Sequence, residues 1–274
     1  MYVLVIYNRF GGIGKNMNAL VGFIGTGGIA TALAKGLCGS ENFEGKVYVY
    51  DIDIKRTEAL HNCYPDYVIV ADSNQQLIDS VEFVFPTLLP HILEQVAPSL
   101  VFREKNRIIH IAAGTKLSKA ALWFAPAKSV VRAVPLPFAY RRLGPVILYG
   151  DDEKSRELLS LIGSVVKVKT EKELEILAPV TGLAVSYYSL VGEIVKWCAS
   201  RNMEFRDALE YTTRMCEALS QLMRSDCTED VERFLTEHIT PMGTNELALN
   251  MLREKGAYAP WVAALDKIGE RYDV

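Results

Sequence analysis

The sequence predicts an α/β fold: an N-terminal doubly wound, mainly parallel sheet followed by an all-helical C-terminal domain. Three observations predict it. Short apolar runs alternate with helical stretches up to about residue 168. A glycine cluster, Gly25-Thr26-Gly27-Gly28, separates the first of these runs from an alanine-rich helical segment. From about residue 171 helical periodicity continues with few breakers and no convincing strand. A chain of 274 residues, half of them hydrophobic, is long enough for one large or two ordinary domains with a sizeable core.

In chain order, residues 1–16 (MYVLVIYNRFGGIGKN) hold an apolar run too short to cross a membrane and preceded by no basic region. Their Gly11-Gly12-x-Gly14 has no helical pattern after it. We read 1–16 as a leader or extension from an upstream start or a vector, with an added edge strand as the alternative. Strands are expected at 20–24, 47–50, 67–70, 82–86, 107–111, 129–134, 146–149 and 164–168. They are apolar throughout, as strands covered on both faces must be. Helices are expected at 29–38, 54–62, 73–79, 90–98, 117–123 and 152–162, the last with Asp151-Asp152 at its start. Segments 171–223, 228–237 and 244–272 supply the helices of the second domain. The expected divisions are 1–16, 17–168 and 169–274.

The glycine cluster carries the chemistry. Residues 21–31, VGFIGTGGIAT, follow the strand–tight turn–helix order of G-x-G-x-x-A, with Ala30 last. Gly25 permits the sharp turn, Gly27 has no Cβ to keep a pyrophosphate away, and Ala30 lets helix and strand pack closely. The helix N-terminus, with Thr26, Gly28 and Ile29, offers free N–H groups to phosphates. A second strand ends in Asp51 at about 20 residues' distance, where an acid takes the ribose hydroxyls. Lys55 and Arg56, one turn later, could instead hold a 2′-phosphate. This predicts a Rossmann-type site for NADP or NAD.

Lys+Arg 30 against Asp+Glu 33, a net charge of −3, favours neither nucleic acid nor an anionic membrane as partner. Five scattered cysteines without C-x-x-C spacing read as reduced thiols of a cytoplasmic protein, and four isolated histidines indicate no metal site. His110 stands at the carboxyl end of a strand, where such sheets place ligands. With no visible partner for its imidazole, it reads as structural rather than as an acid. The large apolar content of the helical domain, including Tyr187, Tyr188, Leu190 and Trp197, reads as bundle core or as a surface for a second subunit.

Several segments together resemble the pyrroline-5-carboxylate reductase family from about Leu20 to Tyr272. They are GFIGTGGIATALAKGL, Ile111-Ala112-Ala113-Gly114, Arg132-Ala133-Val134-Pro135 and Thr240-Pro241-Met242-Gly243-Thr244. The resemblance implies a reductase of a cyclic imine that uses NAD(P)H, with helical domains pairing as a homodimer and further assembly left open. It implies that Pro86, Thr87, Ala112, Ala113 and Gly114 join the glycine cluster at the cofactor. Thr181, Gly182, Tyr187, Gly243, Thr244 and Asn245 would then meet the substrate, with Thr244 and Asn245 in the catalytic position.

The departures from that family are specific. Leu136-Pro137-Phe138 replaces Asn-Thr-Pro, Leu89-Pro90 replaces Lys-Pro, and Leu183 and Val185 replace small or polar residues. Asn245 stands where the family has a threonine that is a proposed proton donor, and an amide is a poor general acid. The pocket is expected to be more apolar than the family norm. The alternatives to a pyrroline-5-carboxylate reductase are a reductase of a more apolar imine or ketone, and a non-catalytic relative that keeps nucleotide binding and dimerisation.

Overall fold

The computed structural model describes residues 16–112, 114–272 and 274. The leader, apart from Asn16, and Ala113 lie outside the described residues. The chain divides into two compact units at Ala178 and Pro179.

The first unit alternates strand and helix as the sequence predicts. Its elements are β1 (Leu20–Ile24), α1 (Gly28–Cys38), β2 (Lys46–Tyr50), α2 (Ile54–Cys63), β3 (Val68–Val70), α3 (Asn74–Ser80), β4 (Phe83–Pro86) and α4 (Pro90–Val96). There follow β5 (Arg107–His110), α5 (Leu117–Trp123), β6 (Ser129–Val134), β7 (Pro145–Tyr149), α6 (Glu153–Ser160), β8 (Ser164–Lys167) and α7 (Glu171–Leu177). The strands form one sheet in the order β3-β2-β1-β4-β5-β6-β7-β8. The order reverses between β1 and β4, which opens a crevice at their carboxyl ends.

All strand pairs are parallel except β6–β7. The link from Val134 to Pro145 holds only a 3-10 turn, Pro137–Arg141, too short for a right-handed crossover, so β7 returns antiparallel. That turn packs on α1, where a Cβ on Gly36 would lie 2.4 Å from the Ala139 carbonyl oxygen. Two apolar clusters cover the sheet, one around Phe23, Leu33, Val49 and Leu158, the other around Ile24, Leu77, Ile108 and Phe124. Side-chain caps start the helices: Asp53 accepts from Lys55 N, Ser73 from Gln76 N and Asp152 from Ser155 N. Each is worth about 1 kcal/mol.

Helix α7 belongs to this first unit, whereas the sequence division at 168/169 assigns it to the second. The reason is a set of long-range contacts that composition does not reveal. Leu174 is fully buried, and Glu171 and Glu175 pair with Arg132 on β6. A capping box of Thr170 and Glu173 begins the helix.

The second unit contains α8 (Ala184–Ala199), α9 (Phe205–Asp226), α10 (Val231–Glu237), α11 (Thr244–Glu254) and α12 (Ala259–Gly269). No strand follows Lys167 among the described residues. Its buried core is small: Val191, Val195 and Ala208, with Cys198 and Cys216 packed against them. The stretch Glu171–Ala199 is long and apolar enough by composition to cross a membrane. It is broken into α7, a 3-10 segment and α8, and Glu171 and Glu175 within it hold Arg132, so it is not one continuous span. All five cysteines are free thiols, and no cluster of metal-ligating side chains occurs among the described residues.

Candidate functional site

The apolar run of β1 ends at Ile24, and Gly25 turns the chain at φ +89°, a conformation strained for any L side chain. Gly25 N donates to the Tyr50 carbonyl at 2.9 Å. Thr26 N donates to Asp51 Oδ2 at 2.7 Å. From β4, the Thr87 hydroxyl reaches the Gly25 carbonyl at 2.6 Å and that of Ile24 at 2.9 Å. The turn is therefore held from both neighbouring strands. Pro86 pairs in register with Ile24 and is buried.

Gly27 is the N-cap of α1, with φ −74° and no side chain capping the helix. A Cβ on Gly27 or Gly28 would meet nothing within 4 Å. No acid stands in the first turn of α1. The Thr26 hydroxyl is buried without a hydrogen-bond partner among the described residues. Unpaired N–H groups, a positive helix end, an unpartnered hydroxyl and open space over two glycines fit a diphosphate. Ile29 packs partly against the core beside this turn.

Beside the turn, between α1 and α2, lies a cleft of about 440 Å³ lined by Thr26, Gly27, Gly28, Thr31, Lys35 and Arg56, among others. Of the two basic residues singled out in the sequence, Arg56 lines it and Lys55 does not. Lys35 and Thr31 escaped sequence reasoning. One turn of helix separates them, so they share a face, but only the placement of α2 shows that this face borders the cleft. Asp51 is busier than expected. Its side chain is 10% exposed, accepts from Thr26 N and from Asp53 N at 2.9 Å, and lies 3.9 Å from the Arg56 guanidinium. It braces the glycine turn directly, and two N–H groups occupy oxygens that the sequence reserves for ribose.

At the carboxyl ends of β5 and β6 lies a buried polar cluster. Ala112 is buried, and Gly114 takes φ +72° just beyond. His110 is fully buried, opposite Arg132 in the β5–β6 register, with its ring near Trp123 and Phe124. The Thr115 backbone is close enough to affect the ring, yet among the described residues neither nitrogen makes a hydrogen bond of ordinary geometry. Desolvation first, then the charge of Arg132, pushes His110 down from 6.5 to about 4. The imidazole is neutral at pH 7.

A pH dependence follows. The unfolded chain takes up a proton near 6.5 that the folded chain refuses until about 4. Stability present above 6.5 is therefore lost as pH falls toward 4, by about 2 kcal/mol between pH 7 and pH 5. His110→Leu removes this loss and, by deleting a buried unpaired polar group, raises stability at pH 7. Urea unfolding at the two pH values measures both effects. An unchanged pH slope in the variant would rule out this assignment.

The remaining residues lie in the second unit. A Cβ on Gly182 would lie 2.8 Å from Ile268 Cδ1, so this glycine admits a neighbouring helix. The Tyr187 hydroxyl pairs with Cys216 across α8 and α9, which raises it to about 12. Thr181 lies in the 3-10 segment before α8. Gly243 is the N-cap of α11, and Thr244 and Asn245 are its first two residues, both exposed. Glu246 reaches back to accept from Met242 N at 2.6 Å, and no side chain caps the N–H groups of the first turn. Leu136 and Phe138, which replace polar family residues, pack in the first unit against the position a Cβ on Gly144 would take.

Residues 20–114 match the family described as NADP oxidoreductase coenzyme F420-dependent. A pyrroline-5-carboxylate reductase of Pseudomonas aeruginosa is 22% identical over 262 residues, covering 92% of this chain and 94% of that protein. The solved 1-pyrroline-5-carboxylate reductase of Streptococcus pyogenes superposes with a TM-score of 0.79 at 22% identity, over 93% of this chain and 98% of that one. The Plasmodium falciparum pyrroline carboxylate reductase, solved with NADP bound, gives 0.76 at 16% identity over 94% and 98%. The likeness thus runs along nearly the whole chain at low identity, and the solved structures share its fold. The chain is similar to pyrroline-5-carboxylate reductases over nine-tenths of its length, at 22% identity to the Pseudomonas aeruginosa protein.

Proposed function

We infer that this protein is an NAD(P)H-dependent oxidoreductase that reduces the C=N bond of a cyclic imine, pyrroline-5-carboxylate or a related imine. The observation that carries this reading is the open, uncapped glycine turn at the sheet's switch point, in a chain similar to such reductases over nearly its full length.

Bound NAD(P)H supplies the hydride, and the protein's task is placement, which itself accounts for much of the rate. Gly25, Thr26, Gly27, Gly28 and the first N–H groups of α1 hold the diphosphate. Asp51 keeps the turn in shape, while Lys35 and Arg56 offer charge to the adenosine end. Ala112 to Gly114 line the nicotinamide side. In the helical unit the uncapped N–H groups of Thr244 and Asn245, at the first turn of α11 after Gly243, suit a substrate carboxylate. The Asn245 amide can hydrogen-bond substrate but holds no labile proton to give, so the imine enters already protonated. The free thiols suit a reducing, cytoplasmic setting, and the exposed apolar helices of the second unit suit a homodimer.

Consumption of NAD(P)H against a panel of cyclic imines, with proline oxidation at high pH as the reverse assay, tests the reaction. Retained cofactor binding without turnover on any imine would leave only a nucleotide-binding relative. For the cofactor, we expect NADH and NADPH both to bind. Arg56→Ala should weaken NADPH about tenfold, as losing one charged contact to a phosphate does, and leave NADH unchanged. Discrimination above about a hundredfold by the unmodified protein would contradict the shared use of Asp51 and Arg56.

A further inference from the structure

We propose that Glu171 is a positioning residue for the nicotinamide side of the site, acting through Leu117 N and Arg132. The proposal rests on the dinucleotide reading above. The Glu171 carboxylate does two things with one oxygen. Oε1 accepts from the backbone N–H of Leu117, the first residue of α5, at 2.6 Å. It also accepts from Arg132 Nη1 at 2.7 Å. Glu171 thus joins the start of α5 to the carboxyl end of β6, although 54 and 39 residues of chain separate it from these partners.

The arrangement is costly unless complete. Arg132 is 2% exposed, and a buried guanidinium needs compensating charge. Glu171 provides it, with Glu175 behind at 3.3 Å. His110, the nearest titratable group across the β5–β6 register, stays neutral beside this cation and adds no second charge. The segment so fixed is short. Gly114 takes a positive φ, Thr115 is buried, and no side chain of α5's own neighbourhood caps the helix, since its N-cap is Lys116. Glu171 supplies the missing cap from a distant element. Without it, the turn from Gly114 to Leu117 loses this anchor to the sheet, and residues placed against the nicotinamide lose their register. The diphosphate turn at Gly25–Gly28 is held by other groups, Asp51 and Thr87, and keeps its shape.

The test compares Glu171→Ala and Glu171→Gln with the unmodified protein. Hydrogen exchange of the protein without ligand is read first. In the Ala variant the Leu117 amide and the peptide 114–117 should lose protection while peptides 20–30 do not change. Binding is read next, with whole NAD(P)H and with the adenosine-diphosphate-ribose half that lacks nicotinamide. The Ala variant should bind the half-molecule normally and the whole cofactor less tightly. Its kcat should fall about 10-fold to 100-fold, as loss of alignment does, with little change in KM for the imine. The Gln variant, which keeps the acceptor for Leu117 N, should recover protection and most of kcat. Unchanged exchange at 114–117, or equal weakening of both ligands, overturns the proposal. If Ala fails to fold, the Gln variant decides alone: a kcat as low as that of a cofactor-site knockout would mean that charge, not the anchor, is what matters, and overturns it. If the unmodified protein binds neither ligand, the dinucleotide reading falls and this proposal with it.

Discussion

Gly27→Val is expected to abolish NAD(P)H binding while leaving the fold intact. The two halves of this expectation have separate causes. Gly27 sits at φ −74°, a conformation open to any residue, and a Cβ there touches no protein atom within 4 Å. Valine is a poorer N-cap than glycine, which costs the helix about 1 kcal/mol or less. The space that costs the fold nothing is where the diphosphate must approach the backbone. A branched side chain excludes it, and a loss of more than about a hundredfold in affinity, or about 2.7 kcal/mol, follows. Calorimetric titration and thermal unfolding together check both halves. Unchanged affinity would show that the nucleotide site lies elsewhere. Gly25→Ala makes a useful contrast: its φ of +89° and the 2.7 Å approach to Leu88 predict lost stability as well.

The difference between these two glycines shows what the sequence can carry. The strand–turn–helix around Gly25 was legible because each part is local: an apolar run, a cluster without side chains, an alanine-rich helix. The boundaries of β1, α1 and the other elements of the sheet follow from the same short-range patterning. What was not legible depends on chain segments far apart. Lys35 becomes a cleft residue only when α2 lies beside α1. The end of the first unit moves to Ala178 because Glu171 and Glu175 meet an arginine some forty residues earlier. Leu136 and Phe138 read as lost polar groups, yet they fill the space above Gly144 once the chain turns back to form the antiparallel β7. Asp51 directly follows β2, as the spacing predicts, but its carboxylate faces Thr26 N and Asp53 N, a hydrogen-bonding choice no spacing rule specifies.

Leu190→Asp is expected to convert a dimer into a folded monomer and to remove activity with it. Helix α8 has only Val191 and Val195 buried along 16 residues. Around them Val185 is 74% exposed, Tyr188 59%, Leu190 49% and Trp197 58%, and α9 adds Phe205, Tyr211 and Leu219. Large apolar side chains exposed in such number along two helices suit a protein interface. A second copy is the occupant we propose, in line with the pairing the family resemblance implies. Leu190 lies outside the small buried core of its unit, so an aspartate there leaves the isolated helices solvated and intact. At a subunit interface the same carboxylate is buried unpaired, at a cost of several kcal/mol, enough to dissociate the pair. Sedimentation of the unmodified protein should give twice the chain mass of 30.5 kDa, and the variant a single species at 30.5 kDa with an unchanged helical circular dichroism spectrum. If the unmodified chain itself sediments as one species near 30.5 kDa at micromolar concentration, the exposed face of α8 is not a dimer interface.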